Sequence, residues 1–288
     1  MRIAKDWQDY SLMDVSKGER LERWGNVTLV RPDPQIIWEC PDPAAEWSNP
    51  HARYIRSSSG GGRWEYSKKL PESWTIKYKN LLFTVKPTGF KHTGLFPEQA
   101  VNWDYCTEII KNAGRPVKVL NLFAYTGGAT LACAAAGASV CHLDAVKGMV
   151  EWGKQNAALS GLSDKPIRWI TDDAMKFLGR EIKRGNKYDG IILDPPSYGR
   201  GTNGEMWKLE DCIHDLMLRC SEVLSDSPLF ILLNSYTTGL SPSVMAYLLK
   251  MTVGRYRKID VFAEEIGLKV KNTGLAIPCG NTAIVRFT

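Results

Sequence analysis

From residue 96 onward the chain alternates short apolar runs with amphipathic segments of helical period, and no other feature constrains its fold as strongly. The runs at 118–123, 139–144, 167–171, 188–193 and 228–234 are rich in Val, Ile and Leu, bounded by turn residues, and read as strands. Segments 126–136, 146–160, 174–184, 209–224 and 243–251 follow them and read as helices. Two further strand-like runs cover 258–263 and 282–287. Such alternation predicts an α/β fold, a mostly parallel seven-stranded sheet with helices on both faces. Ligands of these sheets bind outside the carboxyl ends of the strands, near the topological switch point. The loops after the strands are therefore where chemistry is expected.

Before residue 96 the character differs. Prolines and turn residues separate short aromatic and β-branched runs at 26–31 (NVTLVR), 74–78 (WTIKY) and 81–86 (LLFTVK). Lys79 and Asn80 suit a tight hairpin turn, and SSSGGG at 57–62 reads as a flexible loop. The expected organisation is a β-rich N-terminal module over 1–95 and an α/β domain over 96–288.

At 288 residues and 44% hydrophobic the chain can bury a core without staples. Its seven cysteines form no CxxC pair and no Cys/His cluster with zinc spacing, so no metal is expected. They read as buried, reduced thiols of a cytoplasmic protein. The N-terminus is polar and mixed in charge, unlike a signal peptide. The longest weakly polar run, 129–141, is too short to span a bilayer, so no membrane partner is expected. A net charge of +6 permits an acidic partner such as RNA without requiring one. Nothing in the sequence sets an oligomeric state.

Four loops carry the candidate site. The first strand leads into Phe123-Ala124-Tyr125-Thr126-Gly127-Gly128. Glycines there allow a sharp turn and close approach of a ligand. Neither GxGxxG nor a P-loop is present, which argues against a dinucleotide or nucleoside triphosphate. The second strand ends in Asp144, where an acid suits either ribose hydroxyls or a helix N-cap. The third leads into Asp172-Asp173-Ala174; one carboxylate could accept from an adenine amino group and the other cap a helix. The fourth ends in Asp194-Pro195-Pro196-Ser197-Tyr198. Two prolines stiffen that loop and remove two N–H donors, leaving carbonyls for a ligand.

Together these loops resemble the class I methyltransferases, which have a Rossmann-like fold and use S-adenosyl-L-methionine. Within that class the chain is similar to the bacterial enzymes that methylate 23S ribosomal RNA at cytosine C5 or guanine N7. The resemblance is carried by VLNLFAYTGGATL, VEWGKQNAALSGL and YDGIILDPPSYGRG, and by HTGLFPEQ at 92–99. It implies that Phe123, Tyr125, Gly127 and Gly128 border the methionine part of the cofactor. It implies Asp144 for the ribose, Ala145 and Val146 for the adenine face, Asp173 for the adenine amino group and Asp194 beside the methyl group. Asn156 matches a helix asparagine of the family and reads as support for the first loop.

The acceptor atom follows from what the loops lack. Methylating pyrimidine C5 needs a Cys thiolate to add at C6. In the related cytosine enzymes that Cys follows strand five; here the turn is Asn234-Ser235-Tyr236-Thr237, and Ser197 follows Asp-Pro-Pro. Cys279, in IPCG, reads as part of a turn between late strands. A base nitrogen already has a lone pair and needs only alignment. Asp194 or the Pro195 carbonyl could accept a base N–H, and Tyr198 could stack on the base. Nitrogen is therefore favoured over cytosine C5. A protein or small-molecule acceptor, and a cofactor-binding protein without catalysis, stay open.

Residues 51–91 hold nine Lys or Arg against two Glu, interleaved with seven aromatics. Cations for phosphates and rings for unpaired bases make this a candidate RNA clamp. The same pattern also fits a small β module with an aromatic core and a lysine-rich face.

Overall fold

The structure, a computed structural model, describes residues 1–57, 61–200 and 206–288. The chain forms two compact units. One comprises Met1–Arg2, Gln99–Ile266 and Cys279–Thr288; the other comprises Ile3–Glu98 and Gly267–Pro278. No sequence pattern marks the late segment 267–278 as part of the N-terminal unit.

The larger unit is built on strands β1 (Lys118–Leu122), β2 (Ser139–Asp144), β3 (Ile167–Thr171), β4 (Gly190–Leu193), β5 (Phe230–Ser235), β6 (Ile259–Lys269) and β7 (Ala276–Phe287). The sheet order is β3-β2-β1-β4-β5-β7-β6, and the short strand Arg2–Ala4 adds an eighth at the β6 edge. Strands β3 to β5 are mutually parallel, and β7 runs antiparallel to β5. The chain first builds outward from β1 to β2 and β3, then returns to β1's other side with β4. The switch point thus lies between β1 and β4, the loops of 123–128 and 194–198.

Both faces of the sheet are covered, and this is why β4 (GIIL) and β5 (FILLNS) are buried at every position. Helices α1 (Ala100–Asn112) and α2 (Gly128–Ala135) pack on one face through Cys106, Ile110, Cys133 and Ala134. On the other face lie α4 (Ala174–Arg184), α5 (Leu209–Glu222) and α6 (Pro242–Thr252), through Phe177, Met217 and Leu249. Helix α3 (Lys147–Leu159) links β2 to β3. Gly190 is required by packing: a Cβ there would stand 2.6 Å from the Phe230 ring.

The N-terminal unit holds a five-stranded sheet in sequence order: Tyr10–Ser16, Glu19–Trp24, Val27–Pro32, Ala52–Arg56 and Gly62–Tyr66. Trp74–Tyr78 and Leu81–Val85 form a separate hairpin around Lys79, whose φ is 52°. The flexible loop expected at 57–62 includes 58–60, which lie outside the described residues. Several strands here hide from a hydrophobicity reading because they bury charge. Glu22 is fully buried, and its carboxylate accepts from Arg31 Nε at 2.5 Å, Arg31 Nη2 at 2.7 Å and the Tyr10 hydroxyl at 2.8 Å.

All seven cysteines lie outside any disulfide; five are buried, and Cys212 and Cys279 are half-buried. Cys279 lies within β7 rather than in a turn, which corrects the expectation for IPCG. Among the described residues no helix is long and apolar enough to cross a membrane.

Candidate active site

The loop after β1 is strained. Phe123 (φ 56°), Tyr125 (φ 51°) and Gly127 (φ 90°) all adopt left-handed backbone conformations. For Phe and Tyr this costs free energy and persists only where surroundings over-determine it. The Ala124 amide donates to the Leu143 carbonyl at 3.0 Å, and Gly127 N–H to the Ala124 carbonyl at 3.0 Å. Asn156 on α3 donates from Nδ2 to the Thr126 carbonyl at 3.0 Å, so it supports the loop. Beneath, the Thr130 hydroxyl accepts from Asn121 Nδ2 and contacts His142 Nδ1, both at 2.9 Å. Burial pushes His142 down to about 3, so it is neutral. What approaches Gly128 closely is the Trp103 indole of α1, 2.6 Å from where a Cβ would sit.

Asp144 ties two loops. Its Oδ2 accepts from the Tyr125 amide at 2.8 Å and its Oδ1 from the Val146 amide at 2.9 Å. Burial raises its pKa above the usual aspartate value, and the two backbone N–H bonds pull the other way. Each oxygen retains a second lone pair for a hydroxyl donor. Ala145 and Val146 beside it are exposed, Val146 at 55%.

At the end of β3 the two acids divide their work. Asp172 pairs with Arg180 and accepts from the Asp173 amide at 2.8 Å. Asp173 caps α4, its Oδ1 accepting from Lys176 N–H at 2.9 Å, and Ala174 opens that helix.

The Asp194-Pro-Pro loop is held from three sides. The Pro196 carbonyl accepts from Trp207 Nε1 at 2.7 Å, and the Ser197 carbonyl from the Leu209 amide at 3.1 Å. The Ser197 and Thr237 hydroxyls are 2.5 Å apart. The carbonyls of Pro196 and Ser197 are thus engaged within the protein. Tyr198 and Trp207 lie on a short hairpin, Tyr198–Arg200 with Met206–Lys208. Tyr198 is exposed, its hydroxyl 2.6 Å from Met206 Sδ. Trp207 also packs on Phe123, ring centroids 5.3 Å apart, joining the loops after β1 and β4. Periodicity alone does not flag Trp207, because its partners are distant in sequence.

A buried polar network closes the end of β5. Asn102 of α1 donates to Gln99 Oε1, Asn234 Oδ1 and Thr282 Oγ1 at 2.8, 2.9 and 3.0 Å. Gln99 Nε2 in turn donates to the Tyr236 hydroxyl at 2.9 Å. Local pattern does not announce Asn102 or Thr282; the last position of HTGLFPEQ and the turn at Asn234-Ser235-Tyr236 are the sequence signals.

Within the N-terminal unit the 51–91 segment divides. Tyr54, Tyr78 and Phe83 are core, Trp64 and Trp74 half-buried, and Tyr66 and Phe90 exposed. Arg56, Arg63, Lys69, Lys77 and Lys79 are exposed; Arg53 pairs with Glu19. Lys91 is half-buried, and burial with nearby Arg31 and Arg20 lowers its pKa.

A parallel sheet of order 3-2-1-4-5-7-6 with an antiparallel seventh strand, acids at the ends of β2, β3 and β4 and a strained loop after β1 define a Rossmann-like methyltransferase unit. The chain belongs to the S-adenosylmethionine-dependent methyltransferase family, whose profile matches residues 49–239. It is an enzyme of that kind and uses S-adenosylmethionine. A SAM-dependent methyltransferase from Agrobacterium tumefaciens is 37% identical over 99% of this chain and 92% of that one, with a TM-score of 0.92. A Streptococcus mutans candidate methyltransferase shares the fold (17% identity, 98% of this chain and 76% of that one, TM-score 0.76). The Ribosomal RNA large subunit methyltransferase K/L of Colwellia psychrerythraea is 29% identical over 147 residues, 51% of this chain. That of Shewanella baltica is 35% identical over 124 residues, 43% of this chain. The matched stretches span 20% and 16% of those relatives' lengths.

Proposed function

We propose that the chain methylates a nitrogen of a ribosomal RNA base. The observation that carries the acceptor atom is the construction of the two loops that flank the methyl position. Neither holds a cysteine: Ser197 spends its hydroxyl on Thr237, and the turn after β5 is Asn234-Ser235-Tyr236. Covalent addition at pyrimidine C6 has no thiol in these loops. A nitrogen needs none; its lone pair forms the bond to the methyl carbon, sulfur keeps the electron pair it shared, and an amino nitrogen then loses a proton. The ribosomal RNA acceptor draws on the likeness to the K/L enzymes, and it implies action in the cytoplasm.

The residues fit the cofactor. Asp144, half-buried, offers two oriented carboxylate oxygens for the ribose diol. The exposed faces of Ala145 and Val146 would cover the adenine, and Asp173 would accept from its amino group, with Asp172 and Ala174 framing that corner. Phe123, Ala124, Tyr125, Thr126, Gly127 and Gly128 would surround the methionine part. When bound, the cofactor supplies an electrophilic methyl group. Asp194 and the Pro195 carbonyl would orient a base N–H toward it, Pro196 and Ser197 would hold the loop's shape, and Tyr198 would stack on the base. The exposed cations and rings of 51–91, Tyr66 and Phe90 among them, would hold RNA. The division of the chain into a clamp over 1–95 and a catalytic domain over 96–288 follows the same reading.

The test is transfer of labelled methyl into total RNA followed by nucleoside analysis. Label in an N-methylated base of 23S RNA is the expected result; label in protein alone would end the reading. The cytosine-C5 alternative has one specific support. Cys279 stands two residues before Asn281, the register partner of Ser235, and so near the end of β5. Cys279→Ser is expected to retain transfer; complete loss, with a trapped RNA adduct in the parent, would move the acceptor to C5.

A further inference from the structure

The loop after β5 carries an exposed aromatic ring, Tyr236. Tyr236 is 38% exposed, yet it is fixed on two sides. Its hydroxyl accepts from Gln99 Nε2 at 2.9 Å. Gln99 is itself locked by Asn102, which is 2% exposed and bound to Asn234 and Thr282. Along the ring's flank lies Gly280, where a Cβ would stand 2.8 Å from Tyr236 Cε1. Only glycine lets the ring approach the β7 backbone so closely. An exposed tyrosine that merely solvates a surface needs neither device. Immobilising a ring in advance removes an entropy cost that a ligand would otherwise meet.

Its place is equally specific. Leu193 pairs in register with Leu233, so Asp194 follows the end of β4 at the level of Asn234, and β5 runs on one residue further to Ser235. The 2.5 Å contact between Ser197 and Thr237 then ties the two loops beyond it. Tyr198 and Tyr236 are the chain neighbours of those two residues, and both are exposed.

We infer that Tyr236 is a second aromatic wall of the acceptor site, which takes an unpaired nucleobase together with Tyr198, and that Gln99 is its positioning residue. The inference rests on the RNA reading above. A flat π face accepts any base by stacking, so Tyr236 contributes binding and orientation, while edge contacts at Asp194 select the atom.

The test is labelled methyl transfer to deproteinised 23S rRNA, with cofactor Kd measured separately by calorimetry. Tyr236→Ala is expected to raise the KM for RNA roughly ten- to hundredfold, the effect of one lost base stack. Cofactor Kd should stay within about threefold of the parent. Tyr236→Phe, which keeps the ring, recovers most of the loss. Gln99→Leu raises the RNA KM partway with the same cofactor Kd, which a merely structural role would not do selectively. An unchanged RNA KM in Tyr236→Ala, or a parallel loss of cofactor affinity, overturns the inference while the RNA reading stands. If the parent itself labels no RNA, both fall. Should Tyr236→Ala fail to fold, Tyr236→Leu, apolar but without a π face, decides on the same criteria.

Discussion

The carboxylate of Asp144 accepts the amide of Tyr125 at 2.8 Å, and Tyr125 has a φ of 51°. An acid at the end of one strand thus holds a strained residue in the loop after its neighbour. Asp144 is a cofactor ligand in the proposed reading and a brace for the cofactor loop in the structure. Asp144→Asn replaces one acceptor with an NH2 that faces a backbone N–H. We expect S-adenosylmethionine Kd to rise roughly ten- to hundredfold, the range for one hydrogen bond to a charged group. Calorimetry measures it; a Kd unchanged in the variant would remove Asp144 from the site.

The same residue sets a pH dependence. Burial raises the Asp144 pKa, so protonation begins at a higher pH than for an ordinary aspartate. In linkage terms a raised folded pKa favours the protonated native state, and that contribution is lost as pH rises through the folded pKa. Cofactor binding has the opposite sense, since it uses the ionised form. Affinity should therefore weaken on acidification before ordinary carboxylates titrate, and Asp144→Asn should flatten that limb of the profile. A parent profile without this limb would contradict the assignment.

Gly128→Ala tests whether that glycine serves packing. The new Cβ would lie 2.6 Å from Trp103 Cζ2, and Trp103 is buried. Overpacking of this kind costs about 1–3 kcal/mol. Urea denaturation should show the loss in the midpoint, in apo protein as well as with cofactor. A stable apo variant that fails only in cofactor binding would restore the ligand-approach role.

How much was legible in the sequence can be judged from these residues. The glycine pair, Asp144 and Asp194 stand at strand ends that hydrophobic runs locate by themselves, so the candidate loops were readable. Their partners were not. Trp103, Trp207 and Gln99 reach the site from far along the chain, and local periodicity carries no information about such contacts. Helix α1 is hard to read from sequence for a related reason: its N-cap, Gln99, makes no side-chain cap bond and continues from a 3-10 turn, and its buried face includes Asn102. The strands Tyr10–Ser16 and Glu19–Trp24 were hidden by the buried acids Asp14 and Glu22, which break the alternation a half-buried strand normally shows.

Glu22 yields a prediction for the N-terminal unit. Burial disfavours its charge, but Arg31 at 2.5 Å and the Tyr10 hydroxyl overcome that and hold its pKa below the usual glutamate value. A depressed folded pKa contributes stability that is present above the unfolded pKa and lost as pH falls through the folded one. Glu22→Gln leaves Arg31 buried without its counter-charge, a change that costs about 3–5 kcal/mol. Thermal melts at neutral pH should show a large drop that shrinks at acid pH, where the parent loses the same contribution. Equal drops at both pH values would mean that packing, not charge, is responsible.

The Ser197–Thr237 contact separates two roles for Ser197. If its hydroxyl reacts with substrate or moves a proton, Ser197→Ala abolishes turnover and Thr237→Val does little. If it only fastens the Asp194 loop to the loop after β5, the two substitutions break one bond from either end. The 2.5 Å spacing makes each hydroxyl the other's partner, which favours fastening. Ser197→Ala and Thr237→Val should then lower kcat by similar factors, roughly ten- to hundredfold for a loop displaced by a fraction of its productive geometry. The double variant should be no worse than either single one, because a bond can be lost once. Cofactor Kd should stay put in all three if the bond only fastens the two loops. Single-turnover rates with 23S rRNA give the comparison, and additive losses would show that the two hydroxyls act separately.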